Sequence, residues 1–270
     1  MTAAPAPLAA IVIACLAGGV LAIIAAAGTL ALHSRWISRL VSFAVGALLG
    51  AVFLELLPHA LGAAMLNHDG TERVMLTVLA GLLLFFLLEK LVLWRHSHDE
   101  AETLDGSPPA VAPRFAHDTD RGRSGLMIVI GNSVHNFCDG IVIAATFITD
   151  FALGTTTALA IVAHAIPQQV GDFAVLMHSG YTRRRAFAYN LATGAATLAG
   201  GLAGYAAIAS MQQILPTVLA LAAASLLYVA VADLIPSLHR HPAPAQTALQ
   251  LALIGVGIAI IALAHVALEH

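Results

Sequence analysis

The chain has 270 residues, is 59% hydrophobic and only 10% charged, and has a mean hydropathy of +0.88. A soluble domain carries about 25% charged residues, so this composition excludes an ordinary water-soluble globule and points to a membrane protein. The net charge of −3 gives no basis for a nucleic-acid partner.

Eight apolar runs follow one another, at about 8–32, 37–61, 74–93, 125–147, 153–177, 186–209, 214–238 and 247–268. Each has about 20 residues or more, enough to cross about 30 Å of hydrocarbon. Backbone groups in lipid must be satisfied within the segment or within a closed barrel. The runs are too continuous for the alternating strands of a barrel. The expectation is therefore an all-α polytopic membrane protein in which residues 1–270 form one transmembrane unit.

No basic stretch precedes the first run, so that helix should be retained rather than cleaved as a signal peptide. Cys15 and Cys138 both lie in apolar runs and suggest no disulfide framework. Eleven of the 12 Lys and Arg residues fall in or beside the connections after the first, third, fifth and seventh runs; only Arg73 lies on the other side. The positive-inside rule then puts those four connections in the cytoplasm and both termini outside.

The second run ends in Glu55-Leu56-Leu57-Pro58, the seventh in Asp233-Leu234-Ile235-Pro236. Each places an acid three residues before a proline, on the middle helix of a three-helix group. With the two helices running in opposite directions, this fits an inverted 3+2+3 repeat around the fourth and fifth runs. Helix-end punctuation, with the acid reaching interfacial water, explains the same residues. The long connection 95–124 carries His96, His98, His117, six acids and three prolines. It reads as a solvated linker or as a weak cytoplasmic metal buffer.

The chemistry concentrates in the fourth and fifth runs. His135 and Asp139 are four apart and share a helix face, with Asn136 beside them. His164, Gln168 and Asp172 repeat the spacing on the next run, where Pro167 should kink the helix. Ionisable groups at membrane depth are costly and are usually functional. Imidazole, carboxylate and amide oxygen make a borderline site suited to Zn²⁺, with Fe²⁺, Mn²⁺ or Cd²⁺ also possible. No thiolate cluster is present, as expected for cargo that must leave again. Cys138 fits a small buried hydrophobe better than a ligand. A buried network gluing helices together is the competing reading, and for His178 and His265 it is the preferred one.

At these residues the chain resembles the ZIP family of zinc and iron transporters. His135-Asn136-Phe137 followed by Asp139-Gly140 is similar to that family's H-N-F-x-D-G. His164, Ile166, Pro167 and Gly171-Asp172-Phe173 are similar to its H-E-I-P-x-E-x-G-D-F, with Ala165 in place of the first acid, Gln168 where a further Glu or His commonly stands, and Gln169 following. The resemblance implies divalent metal transport toward the cytoplasm by a multi-pass, homodimeric protein of the inner membrane, with no resident cofactor and no enzymatic activity. It also implies one metal position built from His135, Asn136, Asp139, His164 and Gln168, since the residues for a second are missing. Asp172 and Asn190 would line the path, Glu55 and His59 the outer mouth, and Asp233, His239 and His241 the inner one. A metal-responsive sensor with weak transport is the alternative. An intramembrane metalloprotease would need H-E-x-x-H, and the residues after His135 and His164 are Asn136 and Ala165. Because ligands must shed protons, uptake should weaken below about pH 6.

Overall fold

The structure is a computed structural model, described over residues 7–28, 34–64, 70–101, 123–209, 214–239 and 244–269. Regular structure among these residues is entirely helical, as continuous apolar sequence in lipid requires. In chain order the helices are α1 (Pro7–Gly28), α2 (Ser34–Gly50), α3 (Leu57–Ala64), α4 (Gly70–Ala101), α5 (Arg123–Thr149), α6 (Phe151–His178), α7 (Arg183–Ala209), α8 (Leu215–Tyr228), α9 (Ile235–Leu238) and α10 (Pro244–Glu269). Among the described residues six segments are long and apolar enough to span a membrane: Ser38–Ala64, Gly70–Leu88, Phe151–Met177, Arg183–Ile208, Leu215–Leu238 and Pro244–Leu268. The described side chains of α1 add a further apolar stretch, Pro7–Leu21.

Two helices are continuous rods interrupted by a wider turn. Between α2 and α3 lies a π-helical segment, Ala51–Leu56, and between α8 and α9 lies another, Val229–Leu234. The Leu57 N–H reaches back five residues to the Val52 carbonyl, and the Ile235 N–H to that of Ala230. Pro58 and Pro236 follow at equivalent positions, where each ring crowds the carbonyl four residues earlier, that of Leu54 or Ala232. Widening the turn relieves that crowding and keeps the rod continuous. Glu55 and Asp233 occupy matching places in the two segments.

α4 runs to Ala101, beyond the expected end near 93. Hydropathy marks where lipid stops, whereas the helix continues until a breaker arrives; none precedes Gly106 and Pro108. Residues 95–101 are thus helix rather than linker. Residues 102–122, Arg240 and His241, for which an inner location is expected, lie outside the described residues.

The helices pack in two sets. α5 packs against α7 and α6, and α1 packs against α6 and α7; α2 lies on α10, and α4 on α8. α6 also touches α2 and α10. Small residues allow these close crossings. A Cβ on Gly140 would overlap the Thr197 backbone of α7, and one on Gly200 the Phe137 backbone of α5. Leu83, Leu251 and Leu263 stay exposed on the outside, a surface suited to lipid.

Candidate metal centre

α5 and α6 are joined through a single residue, Asp150. Its side chain caps α6, accepting from the N–H groups of Ala152 at 2.8 Å and Leu153 at 3.0 Å. So short a connection forces the helices antiparallel and adjacent. His135 lies fifteen residues before Asp150 and His164 fourteen after, so the two imidazoles come level.

They meet. His135 Nε2 lies 3.2 Å from His164 Nε2, the rings set edge to face at 69°. Asp139 Oδ2 is 3.4 Å from the first nitrogen and 3.3 Å from the second. His164 and Asp139 are buried, while the His135 side chain keeps 16% of its surface open. The His164 Nδ1–H donates to the Ala160 carbonyl at 3.3 Å. That bond leaves the Nε2 lone pair aimed at the shared point, the arrangement found behind metal-ligating histidines. Among the described residues these three form the one His/Cys/Asp/Glu group able to hold a metal ion.

The other candidates sort around this triangle. Asn136 is buried, and its Nδ2 has no partner among the described residues. With Asp139, Ala165, Gln169, Cys15 and Gly19 it lines a cavity of about 20 Å³, enough for one water. Gln168 turns away from the imidazoles and donates from Nε2 to Asn132 Oδ1 at 3.2 Å. Asp172 is buried and hydrogen-bonded to the same Asn132. Asn190 on α7 donates to the Gln169 carbonyl at 3.1 Å, and Gln169 donates to Thr193 Oγ1 at 3.0 Å, tying α7 to α6.

Glu55 belongs to a separate cluster. It is fully buried and lies 3.1 Å from His265 Nδ1 of α10, while the His59 ring bonds the Glu55 carbonyl at 2.8 Å. His265, a packing residue on spacing alone, is thus half of an acid–imidazole pair. Asp233 is exposed. The side chain of His178 lies outside the described residues. Asn132 and Thr193 join the polar interior although no motif singles them out. For Asn132 the available signal is its spacing, three residues before His135 on the same face.

Comparison with known proteins places the sequence in a family. Residues 6–123 and 114–265 match the family described as ZIP Zinc transporter. The chain is 30% identical over 262 residues to the zinc transporter ZIP13 of Homo sapiens, covering 84% of this chain and 70% of that protein. It is 32% identical over 239 residues to the ZIP13 of Pongo abelii, covering 84% and 66%. To the zinc transporter ZIP4 of Homo sapiens it is 31% identical over 253 residues, covering 75% of this chain and 39% of that longer protein. The family match runs through both motif-bearing helices and nearly from one end of the chain to the other: the chain belongs to the ZIP zinc transporter family.

Proposed function

We propose that the chain moves a divalent cation, Zn²⁺ foremost, across the membrane toward the cytoplasm through a site between α5 and α6. The carrying observation is the triangle of His135 Nε2, His164 Nε2 and Asp139 Oδ2, with edges of 3.2, 3.3 and 3.4 Å. Ligand atoms around tetrahedral Zn²⁺, with bonds of about 2.0–2.1 Å, stand about 3.3 Å apart. The three atoms therefore match one face of such a tetrahedron. Asn136 or water supplies the remaining position, since Gln168, expected there from the sequence, bonds Asn132 instead. Two neutral imidazoles and one carboxylate leave a bound Zn²⁺ with net positive charge, which suits cargo that must leave. The zinc transporters among the relatives support the same cargo.

The proposed architecture is eight spans arranged 3+2+3, with an inverted repeat and both termini outside. Three features support it. The two π segments carry their acids and prolines in register. The packing of α1 on α6 mirrors that of α7 on α5, and α2 on α10 mirrors α4 on α8. Eleven of the 12 basic residues fall in or beside connections on one side, as cytoplasmic connections require. Rocking of the repeats about the fixed site then gives alternating access. The family resemblance extends the proposal to a homodimer in the inner membrane.

The test is zinc accumulation in cells expressing His135→Ala or Asp139→Ala. Uptake should drop to the level of untransformed cells. Wild-type uptake in either variant, at matched expression, would refute the site.

A further inference from the structure

Beyond the triangle, α5 and α6 carry a second polar group that the site above does not use. Asn132 and Gln168 both stand eighteen residues from Asp150, so they face each other one level further from the turn. Gln168 Nε2 donates to Asn132 Oδ1 at 3.2 Å, and Asn132 in turn bonds the Asp172 carboxyl. Asp172 is only 8% exposed. Its Oδ2, and Oε1 of Gln168, are buried without a hydrogen-bond partner among the described residues. No described Lys, Arg or His forms an ion pair with Asp172. A carboxylate held in a membrane interior calls for a cation partner.

We infer that Asn132, Gln168 and Asp172 form a second cation station, built of oxygen donors, one to two helical turns from the His135–Asp139–His164 triangle. At a rise of about 1.5 Å per residue, Gln168 lies about 6 Å and Asp172 about 12 Å along α6 from His164. Without an ion, the two amides and the carboxylate form a hydrogen-bonded chain that leaves Gln168 Oε1 and Asp172 Oδ2 unsatisfied among the described residues. Turning the two amides over presents Asn132 Oδ1 and Gln168 Oε1 beside the carboxylate. An all-oxygen set holds Zn²⁺ more loosely than imidazole and accepts hard ions such as Mn²⁺. The station lies toward the end of the hairpin where Arg183, Arg184 and Arg185 start α7. Its role as the step between the triangle and the cytoplasm rests on the transport reading; its ability to bind an ion does not.

The experiment counts ions on the purified full-length chain in nanodiscs. One equivalent of Zn²⁺ is added first, then Mn²⁺ is titrated and free Mn²⁺ is followed by electron paramagnetic resonance. Wild type should bind one further Mn²⁺, and Asp172→Asn should lose it while still taking the first Zn²⁺. Gln168→Glu, which adds a carboxylate, should lower the Mn²⁺ Kd at least tenfold, and this arm decides if Asp172→Asn does not fold. Mn²⁺ binding that is unchanged in both variants, or absent from wild type, overturns the station. Failure of wild type to take the first Zn²⁺ refutes the triangle instead. His164→Ala then tests the station alone: it should still bind one Mn²⁺, and loss of that ion on adding Asp172→Asn supports the inference.

Discussion

At the residue scale, the candidate centre depends on how its ligand atoms are aimed: the His164 Nδ1–H bonds the Ala160 carbonyl and turns Nε2 toward His135 and Asp139. Asp139 is the sole anion among the three converging side chains. Asp139→Asn keeps its size and removes that charge. The Zn²⁺ Kd, read by titration calorimetry, should rise at least about tenfold, equivalent to about 1.4 kcal/mol. Protons compete with metal for the two imidazoles, so binding is strongest where both are neutral and is lost as pH falls. Zinc uptake should therefore decline below about pH 6, and a profile flat from pH 5 to 8 would contradict the ligand set. His135, Asp139 and His164 were legible from i, i+4 spacing because a helix converts that spacing into a shared face. The turning of Gln168 toward Asn132 was not, because an amide three bonds from its Cα chooses among neighbours that the sequence does not name.

At the element scale, position depends on a cap and on bare backbone. Asp150 both ends the α5–α6 connection and satisfies the first turn of α6. Asp150→Ala should cost about 1 kcal/mol, seen as a lower Tm in detergent, and should weaken zinc binding as the imidazoles lose register. Gly140 and Gly131 make a sharper contrast on α5. A side chain at Gly140 meets the backbone of α7, whereas one at Gly131 meets nothing within 4 Å. Gly140→Ala should destabilise by about 1–3 kcal/mol or more. Gly131→Ala should be neutral or stabilise by about 0.5–1 kcal/mol. A thermal scan of the two variants side by side checks both expectations. The positions of six apolar spans were readable because hydropathy reports the thickness of hydrocarbon. The extension of α4 to Ala101 was not, because that helix outlasts its apolar run. The two π segments lay between these cases. Their prolines were visible in sequence, but the shift to a five-residue bond forms where the surrounding rod must stay continuous.

At the scale of the whole molecule, the proposal makes a topological demand. With Cys15 and Cys138 replaced by alanine, single cysteines at Gly180 and His239 should react with a membrane-impermeant thiol reagent only from the cytoplasmic side. A cysteine at Phe151, next to the opposite turn, should react only from outside. Labelling of all three from one face would break the eight-span arrangement. The sequence by itself determined that the chain is helical and belongs in lipid, and which two helices bear the candidate ligands. Those properties follow from local composition and periodicity, which no long-range contact is needed to read. Only the tertiary structure decided that three of the candidate ligands share one point, that Glu55 pairs with His265 of the last helix, and that Asn132, Gln168 and Asp172 form a group of their own. Such partnerships depend on how far apart and at what rotation separate helices settle, and that is fixed by glycine contacts and core packing distributed along the whole chain.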